Sequence, residues 1–287
     1  MFKRVRLLVC ILLLGCTGSY AQTTLIGPSV NNGGFESATN TPWVFENGTQ
    51  ENYWVISTGA NTGFSGTKAA YITNNTSAPY SQTYDMGIVG VAGDFSAVHL
   101  YQDVTFPAGQ PTITFSFKSK VTGELGYDHL LVYISNTATP TALTAGTPAS
   151  QSLDLPNALA GYTFLDTVDM STTWVTQNVP ITAAQAGNTT AATTRRILFV
   201  WQNDDNTGSN PSAGIDDVLL TSNCVPSAAP TGTSYSVCQG GATGPLPVTG
   251  TNLLFYATAT GGVGSSTVPT PSTAIIGSNT YLSLIHI

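Results

Sequence analysis

Apolar residues that recur at every second position constrain this chain more than any other feature. Ile113, Phe115 and Phe117 alternate with Thr112, Thr114 and Ser116, and Ile197, Phe199 and Trp201 alternate in the same way within residues 195–202. A period of two puts one set of side chains on a single face of an extended strand, and no sustained 3.6-residue stripe competes with it anywhere. Further strands are predicted at Tyr53 to Ser57, Lys68 to Thr73, Val98 to Phe106, His129 to Ser135, Thr173 to Ile181 and Gly214 to Thr221. Clusters of Gly, Asn, Pro and Ser separate them, which is turn chemistry. The expected fold is all-β. Residues 22–222, roughly 200 in number, are many for one immunoglobulin domain but suit a jelly-roll β-sandwich with long loops.

Composition agrees and narrows the function. Charged residues are 8% of the 287, while hydrophobic residues reach 41%. Residues 1–21 read as a signal peptide: Lys3, Arg4 and Arg6 precede an apolar run from Leu7 to Leu14, and Ser19-Tyr20-Ala21 offers a cleavage site. That run is too short to cross a bilayer, so no transmembrane segment is expected. Leu13-Leu14-Gly15-Cys16 is a competing lipobox that would lipidate Cys16; either way the chain meets export machinery. Without the leader, five of the eight Lys and Arg remain against 15 acids, a net charge of about −10. So acidic a surface is a poor partner for nucleic acid or anionic membrane.

Two of the four cysteines lie in the leader. In an oxidising compartment Cys224 and Cys238 either bond across the Pro-rich joint between them or leave Cys238 for a cysteine beyond this chain. A zinc site has nothing to be built from. The joint, residues 223–232, leads into a second region, 233–287, with strands expected at Ser234 to Cys238, Leu253 to Thr258 and Asn279 to Leu282. It is short of the ~100 residues of an immunoglobulin-like sandwich and reads as a partial one.

Residues 43–54 and 65–72, with His99-Leu100-Tyr101, residues 115–118 and Ile215-Asp216-Asp217-Val218, resemble a module common in exported proteins of bacteria that use type IX secretion. That module is similar to jelly-roll carbohydrate-binding modules and to the MAM adhesion domain, which share an early Gly-x-Phe-Glu, here residues 33–36, and a late Ile-Asp-Asp. Residues 235–240, 254–256 and 261–262 resemble the immunoglobulin-like repeats of large adhesins from the same bacteria. Ser283 to Ile287 departs from that pattern and looks like translated adapter DNA, so a truncated gene is expected.

Catalysis is not expected. His99 and His129 read as strand side chains, neither near a nucleophile motif, and Asp204-Asp205 reads as a solvated loop. Calcium is the stronger prospect. A jelly roll brings its first and last strands together, so Glu36 and Asp216 could meet and be completed by carbonyls around Ser65 to Lys68; the plainer alternative has Glu36 capping a turn and Asp216 bonding nearby amides. For sugar stacking the candidates are Trp54, Tyr80, Tyr84, Tyr101 and Trp201, while Trp43 and Trp174 are assigned to the core. The expectation is an extracellular, non-catalytic adhesion module of a larger secreted or surface-bound bacterial protein, its partner a glycan or a surface protein. The alternative is the accessory N-terminal region of a secreted glycoside hydrolase or peptidase.

Overall fold

The computed structural model describes residues 4–5, 22–58, 63–84, 96–146, 159–204, 208–224, 230–233, 237–250, 253–256, 263–275 and 282–285. Nearly all of the signal-peptide reading, Cys16, Asp205 and residues 225–229 of the joint lie outside them. No helix among the described residues is long and apolar enough to cross a membrane. The chain divides into two compact units, residues 21–225 in one and residues 1–20 with 226–287 in the other.

The larger unit is two antiparallel sheets face to face. The six-stranded sheet runs β10 (Ser171–Asn178), β7 (Thr112–Val121), β12 (Gly214–Asn223), β5 (Ala69–Thr73) and β4 (Tyr53–Ser57), with β2 (Thr23–Ile26) also paired to β12. The five-stranded sheet runs β3 (Val44–Glu46), β6 (Ser96–Phe106), β11 (Thr193–Asn203), β8 (His129–Ser135) and β9 (Tyr162–Thr167). One helical turn, α1 (Ala183–Ala186), precedes β11 and is closed by a Thr182–Gln185 capping box and by Gly187 at positive φ.

The alternation fixes which side chains meet. Phe115 and Phe117 of β7 and Phe199 of β11 interlock with ring centroids 5.0–6.3 Å apart, and Trp43, Trp54, Leu100 and Trp201 fill the same core. Each such side chain contributes about 1.5–3 kcal/mol on burial. Odd positions of β7 therefore face inward and Lys118 and Lys120 outward. In β6 the even positions are inward, leaving His99, Tyr101 and Asp103 on the outer face.

In the smaller unit, β1 (Arg4–Val5) pairs with β14 (Val237–Cys238), β13 (Thr231–Gly232) with β15 (Val248–Thr249), and β16 (Leu253–Tyr256) with β17 (Leu282–Ile285). Of the strand expected at residues 279–282, residues 279–281 lie outside the described residues, and Leu282 opens β17, which runs on through Ile285 into the segment that departs from the repeat pattern. Cys224 and Cys238 are free thiols, one half-buried and the other exposed. Of the two alternatives open for them, the bond between Cys224 and Cys238 is not formed in this structure.

Candidate functional site

Trp54, Tyr84 and Trp201 are 1%, 2% and 0% exposed. Their parity, or for Tyr84 its partner, sends them inward: the Trp54 indole donates to the Val98 carbonyl at 3.3 Å, and Tyr84 packs edge-on against Trp201 at 5.3 Å. No ring face is left for a ligand, which corrects the sequence expectation for all three. Tyr101 does reach the outer face, as its register predicts, but the Arg196 guanidinium covers its ring at 3.7 Å. Asp103 fixes that guanidinium through Oδ1 at 2.7 Å and Oδ2 at 3.0 Å. Leu143 and Leu159 pack on the same outer face.

Tyr80 stands differently. It is half-buried on the outer face of the six-stranded sheet, where Val55, Ala69 and Tyr71 are joined by Tyr53, Tyr80 and Trp174. Trp174, expected in the core, lies here because it alternates with Val175, which pairs with the inward Ser119, and shares the side of Thr176, which pairs with the outward Lys118. Its indole rests over Gly214, where a Cβ would come within 3.5 Å of Trp174 and 2.7 Å of the Gln82 Nε2. Phe64, 46% exposed, sits edge-on to Trp174 at 6.4 Å. Lys118 Nζ lies 4.3 Å over the Phe64 ring and donates to Thr176 Oγ1 at 2.7 Å, while Lys120 Nζ is 5.7 Å from the Trp174 ring. Burial pushes the Lys120 ammonium down from its usual value. Gln82 is 6% exposed; its Nε2 donates to the carbonyls of Ser212 and Lys120, and its Oε1 has no partner among the described residues. The Tyr53 hydroxyl is likewise buried without a partner there.

Phe64 is held in place by the two acids picked from the sequence. Gly33 packs so closely on β12 that a Cβ would fall 2.3 Å from the Val218 carbonyl, and the Val218 amide donates to the Gly33 carbonyl at 2.8 Å. The early and late motifs therefore do meet. Their carboxylates grip residues 63–68 rather than each other. Asp216, 0% exposed, accepts from the amides of Phe64 and Ser65 on Oδ2 and of Asp217 on Oδ1. Burial pushes its carboxyl up to about 6 against the pull of those amides. Glu36, exposed, accepts on Oε1 from the amides of Thr67 and Lys68 and on Oε2 from the Thr67 hydroxyl. Slight burial opposes ionisation there, but these donors and the Lys68 charge hold it below the usual carboxylate value.

The same loop offers oxygens. A Cβ on Gly63 would lie 2.8 Å from the Ser65 carbonyl oxygen, 3.2 Å from that of Lys68 and 3.7 Å from that of Gly66. Three carbonyls around one small space suit a hard cation. The carboxylates suit it less, since their donors already face them, and among the described residues no three His, Cys, Asp or Glu side chains cluster for a metal.

A further acid pair was missed. Asp204, read as a solvated loop residue, is 5% exposed, and Asp128 is 1% exposed. Asp128 Oδ2 accepts from the Tyr84 hydroxyl and the Glu124 amide, both at 2.6 Å. Burial pushes its carboxyl up to about 6; those two donors oppose the rise and the charge of Asp204 adds to it.

No protein-family model matches the chain, and no curated protein matches it. Three solved structures that it is similar to indicate the level of likeness. TmCBM61 in complex with beta-1,4-galactotriose is 14% identical over 67% of this chain and 95% of that one, with a TM-score of 0.37. The C-terminal family 22 carbohydrate binding module of Clostridium thermocellum Xyn10B is 13% identical over 71% and 93%, with a TM-score of 0.35. The Stig cyclase Fisc from Fischerella sp. TAU is 15% identical over 72% and 100%, with a TM-score of 0.40. Two carbohydrate-binding modules and a cyclase in one group carry neither a ligand nor a reaction to this chain.

Proposed function

We propose that residues 21–225 form a glycan-recognition module of an exported bacterial surface or secreted protein, and that it binds through the outer face of the six-stranded sheet. The observation that carries this is the Trp174–Phe64 pair, two rings partly open to solvent and flanked by Tyr80, Lys118 and a buried amide. Sugar rings stack on aromatic faces while polar groups take their hydroxyls. The immunoglobulin-like resemblance of residues 233–287 fits an adhesin; an accessory region of a secreted hydrolase or peptidase would use the same face in the same way. The test is a polysaccharide pull-down and titration with the full chain and a Trp174→Ala variant of unchanged melting temperature. Binding of a defined polysaccharide, weakened roughly tenfold or more by the variant, is expected. Equal binding by both forms would move the site elsewhere, and capture of a protein but no glycan would replace the reading by protein adhesion.

A second reading concerns calcium, favoured by the three carbonyls that converge at Gly63. Calcium there would be structural, held by those carbonyls with Glu36 or Asp216 at its edge, and would stiffen the loop that presents Phe64. Chelator should then lower the melting temperature of the wild type and do so less for Glu36→Ala. An unchanged wild-type melt removes calcium from this loop.

A further inference from the structure

Each sheet of the larger unit ends in strands whose outer backbone groups need an answer, because a bare edge is a template for pairing with another chain. β3 is only three residues long. β2 and β9 each carry a register shift against their partners, at Leu220/Thr221 and at Val132/Tyr133, and a bulge interrupts the row of donors and acceptors. β4 is regular, but the Asn47 side chain stands in for a neighbouring strand: its amide donates to the Trp54 carbonyl at 3.1 Å and its Oδ1 accepts from the Trp54 amide at 2.8 Å.

β10 is the exception. Its register shift lies before Val175, and from Val175 to Asn178 it runs evenly along β7. At the next step of that pairing the Val179 amide donates to the Phe115 carbonyl at 3.0 Å. Antiparallel bonding alternates, so Val175 and Gln177 also bond to β7, while the N–H and C=O groups of Thr176 and Asn178 turn to the open side. Both residues are exposed, and among the described residues β7 is the one strand that pairs with β10. Charge does not guard this edge either: Ser171–Asn178 holds no Asp, Glu, Lys, Arg or Pro. On a chain with 15 acids against eight Lys and Arg, a second copy can therefore approach here without setting carboxylate against carboxylate.

We propose that the protein pairs with a second copy of itself through β10, antiparallel about Thr176, joining two six-stranded sheets into one. A strand whose free groups recur at every second residue offers the same donors and acceptors when reversed, so the edge is its own complement. Thr176 then lies opposite Thr176 of the second copy and Asn178 opposite its Trp174. The two-fold axis stands perpendicular to the sheet and keeps both outer faces on one side, with the two Trp174 backbones roughly 14 Å apart along the strands. Two copies of the Trp174–Phe64 pair thus share one surface. The pairing goes beyond the glycan reading and does not depend on it. So few paired residues bury less than the roughly 1,200 Å² of a stable interface, and the dimer is weak, with a Kd on the order of 100 μM.

Sedimentation equilibrium of the full chain tests this, over concentrations from about a tenth of that Kd to about ten times it, in reductant because Cys224 and Cys238 are free thiols. The wild type is expected to shift from monomer to dimer across that range. Thr176→Lys and Thr176→Glu each set like charges directly opposite across the axis and should weaken the dimer about fivefold or more; mixed in equal amounts they set opposite charges there and should restore it. A wild type that stays monomeric throughout would overturn the pairing. So would variants that dimerise as tightly as the wild type, since the contact would then lie on another surface. An equal mixture no tighter than either variant alone would overturn it too, because the substitutions would then act on the fold of one copy rather than across the axis.

Discussion

On the five-stranded sheet the Tyr101 ring lies under Arg196 at 3.7 Å and the guanidinium is locked to Asp103; on the six-stranded sheet Lys118 stands 4.3 Å over Phe64 and its hydrogen bond goes to a threonine. Both outer faces combine aromatic rings with a cation. One uses the combination up internally, since ring face, cation and carboxylate satisfy each other and Leu143 and Leu159 pack over the neighbouring rings. The other leaves its ring partly bare. An aromatic and a cation on an outward register are therefore not enough to identify a binding face: what decides is whether the cation already has its anion.

The largest expected difference between the faces lies in their response to acid. His99, on the outer side of β6 and 1% exposed, has its imidazole lowered to about 4, by burial first, with a hydrogen bond at Glu46 pulling the other way. Unfolded, a histidine titrates near 6.5. Between those values only the unfolded chain takes the proton, so stability falls as pH drops from about 6.5 to about 4, in total on the order of 3 kcal/mol. Asp216, against the other face, and Asp128 have folded values raised to about 6. In that direction the folded chain takes the proton first, so stability rises as pH falls from about 6 toward the unfolded carboxyl value near 4. The opposing slopes flatten the wild-type profile over pH 4–6. His99→Leu should unmask the acids, and its denaturation midpoint should increase steadily on acidification across that window. Parallel wild-type and variant profiles would mean that His99 is not buried neutral.

Next in size is a paired substitution. Trp174→Ala should weaken polysaccharide binding about tenfold or more, while Tyr101→Ala, whose ring face is already covered, should leave it within about twofold. Gly214→Ala gives an independent check: its new methyl would crowd Gln82 Nε2 at 2.7 Å and touch the indole at 3.5 Å, so binding should weaken with the strands intact. Loss in Tyr101→Ala and none in Trp174→Ala, by titration of the same polymer, would exchange the roles of the two faces.

Much of this geometry was legible from alternation alone. The outward place of His99, Tyr101 and Asp103 and the inward place of Phe115, Phe117 and Phe199 follow from parity once the strands are recognised. Trp174, assigned to the core from its place in a strand, takes the outward parity of that strand. It shares its face with Thr176, not with the buried Val179. Tyr84 and Asp204 failed in the opposite sense. Both sit in polar loop sequences, yet both are buried, Tyr84 by contacts distant along the chain with Asp128 and Trp201. Glu36 and Asp216 were found through their motifs, but spacing could not say that backbone amides of residues 64–68 would occupy their oxygens. Turn geometry of that kind is fixed by tertiary packing rather than by residue type.

The smallest expected effect tests the closed face directly. Asp103→Asn keeps the shape of the Arg196 partner and removes its charge, and because the Asp103 side chain is 46% exposed, solvent takes over part of its role. The cost should be about 1 kcal/mol, read from urea unfolding, with polysaccharide binding unchanged. Adding 0.5 M NaCl should narrow the gap between wild type and variant, since the Arg196 side chain is only 10% exposed but its partner's charge is half in water. Were Asp103→Asn to gain a second polysaccharide site, lost again with Tyr101→Ala, the guanidinium released over Tyr101 would have turned the second face into a copy of the first, and the pairing of that one cation would be what keeps the two apart.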